Sequence, residues 1–100
     1  SVEKHIKESQ IAEIIYTDSY IRRAKKFIKK HPELLSQYAK TLKLLEINPH
    51  HPSLRMHKLS GKLSKLYSVS INISYRISII FLFEDDKIIP VEIGSHNEVY

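Results

Sequence analysis

Tyr67–Ser74 read YSVSINIS, with Tyr67, Val69, Ile71 and Ile73 alternating strictly with Ser68, Ser70, Asn72 and Ser74. A period of two is the pattern of a strand with one face in a core and the other turned away from it. The next stretch, YRISIIFLF over residues 75–83, reads as the return strand of a hairpin, with Ile77, Ile79, Phe81 and Phe83 inward. Arg76 and Ser78 then have the opposite parity and project from the face that carries the serines. That face holds small polar residues rather than the bulky charged ones usual on a free surface, which leaves room for a ligand. An acidic turn over residues 84–87 leads into IIPVEI, a last strand. There Pro90 cannot donate to a ladder and belongs at an edge or with its nitrogen turned outward.

Before this sheet pattern the period is helical. Asp18 and Ser19 form an N-cap pair, and Tyr20, Ile21, Ala24, Phe27 and Ile28 follow at helical spacing among six lysines and arginines. His31-Pro32 breaks this helix, because proline disfavours helical geometry in the residue before it yet suits the first turn of the next. A second stripe runs through Leu34, Leu35, Tyr38, Leu42 and Leu45 and should stop near Asn48-Pro49, giving a tight helical hairpin. IAEIIYT, residues 11–17, reads as an opening strand, although so short a run also suits a buried helix. In LRMHKLSGKLSKL, residues 54–66, Gly61 argues against a helix, so a strand or extended loop crosses to the sheet.

The expected fold class is therefore α+β: a helical hairpin packed on one face of a mainly antiparallel four-stranded sheet, in the order β-α-α-β-β-β. One hundred residues with 42% hydrophobic content suit a single domain, placed at 11–100 after a polar lead-in or expression remnant at 1–10. With no cysteine there is no disulfide framework or thiolate metal site, and ISIIFLF is too short to cross a bilayer, so a cytoplasmic protein is expected. The net charge is +5, and no acidic residue lies between Glu46 and Glu84, a gap containing Arg55, Lys58, Lys62, Lys65 and Arg76. Ordinary solvated surfaces mix signs, so this distribution points to an anion-facing region.

The order of elements, HKLSG after the helical hairpin, LYSVSI with YRISIIF, and the closing IGSHNEVY together resemble the RelE/ParE superfamily of toxins from toxin–antitoxin systems, nearest its RelE and YafQ-like messenger-RNA interferases. The resemblance covers Ile11 to Tyr100. It implies the two-layer RelE-like fold and a cytoplasmic endoribonuclease that cuts messenger RNA in the ribosomal A site. The implied partners are the ribosome, its message and a cognate antitoxin that holds the enzyme inactive; no cofactor, metal or membrane is implied. His57 matches the histidine before the L-x-G turn of the YafQ-like members, and Lys58, with Lys62, matches lysines of the RelE type. Arg76 resembles the arginine that contacts the scissile phosphate, His96 the C-terminal histidine, and Tyr100 the terminal aromatic. Where YafQ has a histidine and an aspartate on the middle hairpin, this chain has Ser70 or Asn72 and Ser74, which leaves a second acid–base partner unassigned.

These residue types suit the implied chemistry. Attack by a ribose 2′-hydroxyl needs a base at that hydroxyl, cations around the phosphorane and help for the leaving 5′-oxygen. Histidine titrates near pH ~6.5, and arginine presents a planar, permanently charged fork. The candidate catalytic set is His57, Arg76, His96 and Tyr100, with Arg55, Lys58, Lys62 and Lys65 attracting RNA. Three of these have a plainer rival: His57 as a surface residue, Arg76 as a cross-sheet partner of Glu92, and Tyr100 as a packed terminus instead of a stacking platform or proton donor. His50 and His51 are adjacent with no carboxylate or cysteine close by, which does not suit a metal site. Two other functions share the implied fold: a ParE-like toxin that binds DNA gyrase without nuclease chemistry, and a degenerate toxin that only binds its antitoxin.

Overall fold

The computed structural model describes residues 12–60 and 65–95. Strand β1 (Glu13–Ile14) is followed by helix α1 (Asp18–Lys30), a single 3-10 turn (Pro32–Leu34) and helix α2 (Leu35–Ile47). A second 3-10 turn (Pro52–Leu54) leads to β2 (His57–Lys58), β3 (Tyr67–Ser70), β4 (Tyr75–Leu82) and β5 (Lys87–Ser95). The sheet order is β1-β5-β4-β3-β2, with β1 parallel to β5 and every other pair antiparallel. The expected two-layer α+β arrangement is present. The sheet has five strands because the segment around His57 adds a two-residue edge strand to the four expected.

Helix α1 starts one residue earlier than its sequence suggested: the N-cap is Thr17, whose Oγ1 accepts from the Tyr20 amide at 3.1 Å. Asp18 then lies in the first turn and Lys29 and Lys30 in the last, each complementing the nearer pole of the helix. The amide of His31 caps the other end on the Phe27 and Ile28 carbonyls, and Pro32 opens the following turn. From the 3-10 turn into α2 the inward stripe passes through Leu34, Thr41 and Leu45, with Tyr38 partly buried. Leu35 is one residue out of phase with that stripe and stays 54% exposed, contrary to expectation. Thr41 is buried at a core position because its hydroxyl donates to the Gln37 carbonyl one turn back, at 2.8 Å.

The core joins Tyr20, Ala24, Phe27, Leu34 and Leu45 of the helical layer to Val69, Ile77, Ile79, Phe81, Ile88 and Ile93 of the sheet. The two helices are also tied by the Tyr20 and Tyr38 hydroxyls, 2.8 Å apart. A bulge between Ser78 and Ile79 in the β4–β5 ladder resets the parity of β5, so Ile88 and Pro90 before it and Ile93 after it are all buried.

The strict alternation of YSVSINIS does not survive as one strand. β3 ends at Ser70, and Asn72 makes the turn: its Oδ1 accepts from the Ser74 and Tyr75 amides at 2.8 and 2.9 Å. The Ser70 hydroxyl donates to the Asn72 carbonyl, and the Asn72 amide group donates to Gln37 Oε1 on α2 at 2.9 Å. Ile73, expected in the core, sits at the tip of this turn and is 84% exposed.

Two outcomes are expected from this packing. Leu45 is fully buried between α2 and the sheet, so Leu45→Ala should lower the unfolding free energy in urea by about 2–5 kcal/mol. Burial, and then the neighbouring Tyr38 phenol, raise the Tyr20 pKa far above the ordinary phenol range. An unfolded tyrosine ionises near pH ~10, so the contribution of the protonated Tyr20 is complete below that pH and is lost as pH rises beyond it. Tyr20→Phe should therefore flatten the alkaline fall of stability, read as the denaturation midpoint against pH, while lowering stability at neutral pH.

Candidate functional site

The face of β3 and β4 turned away from the helices is defined by register. Ser68 lies opposite Ser78, and Ser78 opposite Glu92; His57 of β2 lies opposite Ser68. One row of the sheet thus reads His57, Ser68, Ser78, Glu92. The next row reads Ser70, Arg76, Gly94. His57 and Arg76 share this face, two strand widths and one two-residue step apart, about 12 Å between backbones. Two long side chains can meet a phosphodiester across that distance.

Arg76 is half-buried, with its Nε and Nη1 shielded from solvent. Gly94 opposite it contributes no side chain to the row. The glycine does not end the strand, since β5 continues to Ser95. Arg76 and Glu92 are not register partners, and the Glu92 carboxylate lies 3.2 Å from Arg23 of α1. The serines are not an open surface: Ser68 is 0% and Ser78 1% exposed, and neither hydroxyl has a hydrogen-bond partner among the described residues. A buried hydroxyl without a partner costs on the order of 1–3 kcal/mol, which favours any polar group that enters beside it.

His57 is exposed and its ring is oriented by a bond that sequence could not reveal. Nδ1 lies 3.1 Å from the Arg55 carbonyl oxygen, which can only accept, so Nδ1 carries the hydrogen and the basic site of the neutral ring is Nε2. Arg55 itself holds a left-handed backbone, φ 48°, a conformation that costs a non-glycine residue on the order of 1 kcal/mol. The strain sits at the residue that presents the carbonyl to His57.

The other expected residues fall in different places. Lys58 is opposite Tyr67, so alternation separates it from His57 and Arg76 and gives it the parity of the helix-covered side. Arg55 and Lys65 are exposed just outside β2 and β3. Lys62, His96 and Tyr100 lie outside the described residues. His51 and His50 have structural work: His51 Nδ1 accepts from Ser53 in the 3-10 turn, at 3.1 Å from the amide and 2.8 Å from the hydroxyl. His50 stacks on Phe81 and Phe83, with ring centres 5.9 and 6.3 Å away. Among the described residues no three histidine, aspartate or glutamate side chains converge as a metal site, and no helix is long and apolar enough to cross a membrane.

No protein-family model and no curated protein sequence matches the chain. Solved structures do. YafQ from E. coli superposes with a TM-score of 0.72 at 13% identity, covering 89% of this chain and 98% of its own. The E. coli DinJ-YafQ toxin-antitoxin complex gives 0.70 at 15% identity, covering 90% and 98%. The YoeB-YefM complex from Staphylococcus aureus gives 0.65 at 20% identity, covering 85% and 97%. At these identities the likeness is one of fold, over nearly the whole of each chain. The helical hairpin on the β1-β5-β4-β3-β2 sheet is the RelE-like fold of these proteins.

Proposed function

We propose that the chain is the toxin of a toxin–antitoxin pair and an endoribonuclease that cleaves messenger RNA on the ribosome. The toxin assignment is supported by fold neighbours solved with their partners, DinJ-YafQ and YoeB-YefM. The observation that carries the nuclease reading is the shared sheet face, with Arg76 in one row and His57 at the end of the next.

In this reading the guanidinium of Arg76 binds the non-bridging oxygens of the scissile phosphate and neutralises the charge that grows on the phosphorane. His57 Nε2 takes the proton of the ribose 2′-hydroxyl, the 2′-oxygen attacks phosphorus, and the bond from phosphorus to the 5′-oxygen breaks. The leaving 5′-oxygen takes a proton from His96 or Tyr100. The products are a 2′,3′-cyclic phosphate and a 5′-hydroxyl end. A cognate antitoxin holds the free enzyme inactive, and an acidic or amphipathic segment that folds on binding suits the basic rim.

Single-turnover cleavage of a reporter message on programmed ribosomes tests this. Arg76→Ala should slow cleavage about 10²–10³-fold, as losing one transition-state donor does, with Arg76→Lys recovering only part. His57→Ala should cost about 10²–10⁴-fold while leaving ribosome binding intact. Cleavage at the unaltered rate in both variants, or no cleavage by the unaltered chain together with inhibition of DNA gyrase, would contradict the nuclease reading.

A further inference from the structure

The adjacent histidines ahead of β2 take no part in the proposed chemistry, yet His51 is built into the loop that holds His57. It is the N-cap of the 3-10 turn Pro52–Leu54, and its Nδ1 accepts from the Ser53 amide at 3.1 Å, with the Ser53 hydroxyl at 2.8 Å. An amide nitrogen can only donate, so Nδ1 of His51 is bare and the ring hydrogen is on Nε2. His57 holds the opposite form, with its hydrogen on Nδ1 beside the Arg55 carbonyl oxygen at 3.1 Å. Two histidines of one loop thus carry opposite tautomers, each set by the loop's own backbone.

A short path joins the two bonds. The Leu54 and Arg55 amides donate to the His51 and Pro52 carbonyls at 3.0 and 3.1 Å, which closes the turn. Pro52 fixes its own φ at the start, and Leu54, 1% exposed, pins the middle of the turn in the core. One buried side chain leaves rotation about it open, and the bond from Ser53 to His51 fixes the entry side. Arg55, at φ 48° and ψ 42°, leaves the turn in left-handed backbone and presents its carbonyl to His57. The plain account of the His51 cap is that it stabilises its own turn. That does not explain a non-glycine residue at positive φ where the loop meets His57. Such a residue persists only where its surroundings hold it, and what holds Arg55 is the closed turn.

We propose that His51 is a positioning residue for His57: by capping the 3-10 turn it holds Arg55 in left-handed backbone, and the Arg55 carbonyl then keeps the hydrogen of His57 on Nδ1, with Nε2 as the basic nitrogen. The inference rests on the reading of His57 as the base that takes the 2′-hydroxyl proton, and it adds the part that sets its tautomer. Without the carbonyl bond nothing keeps the hydrogen off Nε2, and a wrong tautomer removes the base however well the ring is placed.

The test is heteronuclear NMR of the histidine rings in the whole chain without RNA, above pH ~8, where an ordinary imidazole is neutral and the two tautomers have distinct nitrogen shifts. The unaltered chain should show a bare Nε2 on His57 and a bare Nδ1 on His51. His51→Ala should move His57 toward the Nε2–H form and slow cleavage on programmed ribosomes about 10–10²-fold, the scale of a small misplacement at the reacting atoms. His51→Asn should restore both, because its Oδ1 stands where Nδ1 stood and asparagine is a good N-cap. His51→Gln carries its oxygen further out, near the place of Nε2, and should behave like the alanine variant. Arg55→Gly should keep the His57 tautomer, since the backbone carbonyl is what acts and glycine takes positive φ readily. His51 is only partly buried, so its variants should fold, which the urea midpoint checks. An unchanged His57 tautomer in His51→Ala, like behaviour of the Asn and Gln variants, or a hydrogen on Nε2 of His57 in the unaltered chain overturns the proposal. If the tautomer shifts as stated while cleavage by the His51 variants keeps its rate, the coupling through the turn stands and the assignment of His57 as the base fails.

Discussion

The alternation along β4 is the constraint on which the rest depends. Ile77 and Ile79 are fully buried beneath the helices, and Phe81 nearly so, which fixes the rotational setting of the central strand. Arg76 and Ser78 are then forced to the opposite side. A slip of one residue would place a guanidinium in the apolar core and three large side chains outside it, so the register carries the whole hydrophobic drive of the sheet. The polar rows are the complement of the core. β3 and β5 read off the same register, bringing Ser68, Ser70 and Gly94 to this face, and the two residues of β2 add His57.

The fold was legible wherever one physical signal dominated. The helical hairpin followed from apolar spacing and from Pro32; the β4 faces followed from period two. The sequence reading failed where a polar side chain had a local use that competes with the pattern. Asn72 occupies a position that alternation assigned to a strand, but its carboxamide closes a turn on two amides and anchors α2 through Gln37, which ends β3 and expels Ile73. Thr41 reads as polar and is buried, because a threonine on a helix can return its hydroxyl to the preceding turn. Leu35 reads as apolar and is exposed, because helical phase rather than hydrophobicity decides burial.

The candidate site was legible only in part. Parity alone put Arg76 on the correct face, and the opposite parity of adjacent residues sets Lys58 apart from His57. The partner of the His57 ring is a backbone carbonyl, presented by a residue with positive φ, and neither property has a sequence signature when that residue is arginine.

The central claim is that this sheet face supports attack by a ribose 2′-hydroxyl. The most direct measurement is cleavage of a message in which the nucleotide 5′ to the cut carries a 2′-O-methyl group in place of the hydroxyl, with the ends of the unmodified message mapped in parallel. The account requires a 2′,3′-cyclic phosphate and a 5′-hydroxyl from the unmodified message and no cut at the modified position. Cleavage of the modified message at the same site, or 5′-phosphate ends from either message, would contradict it.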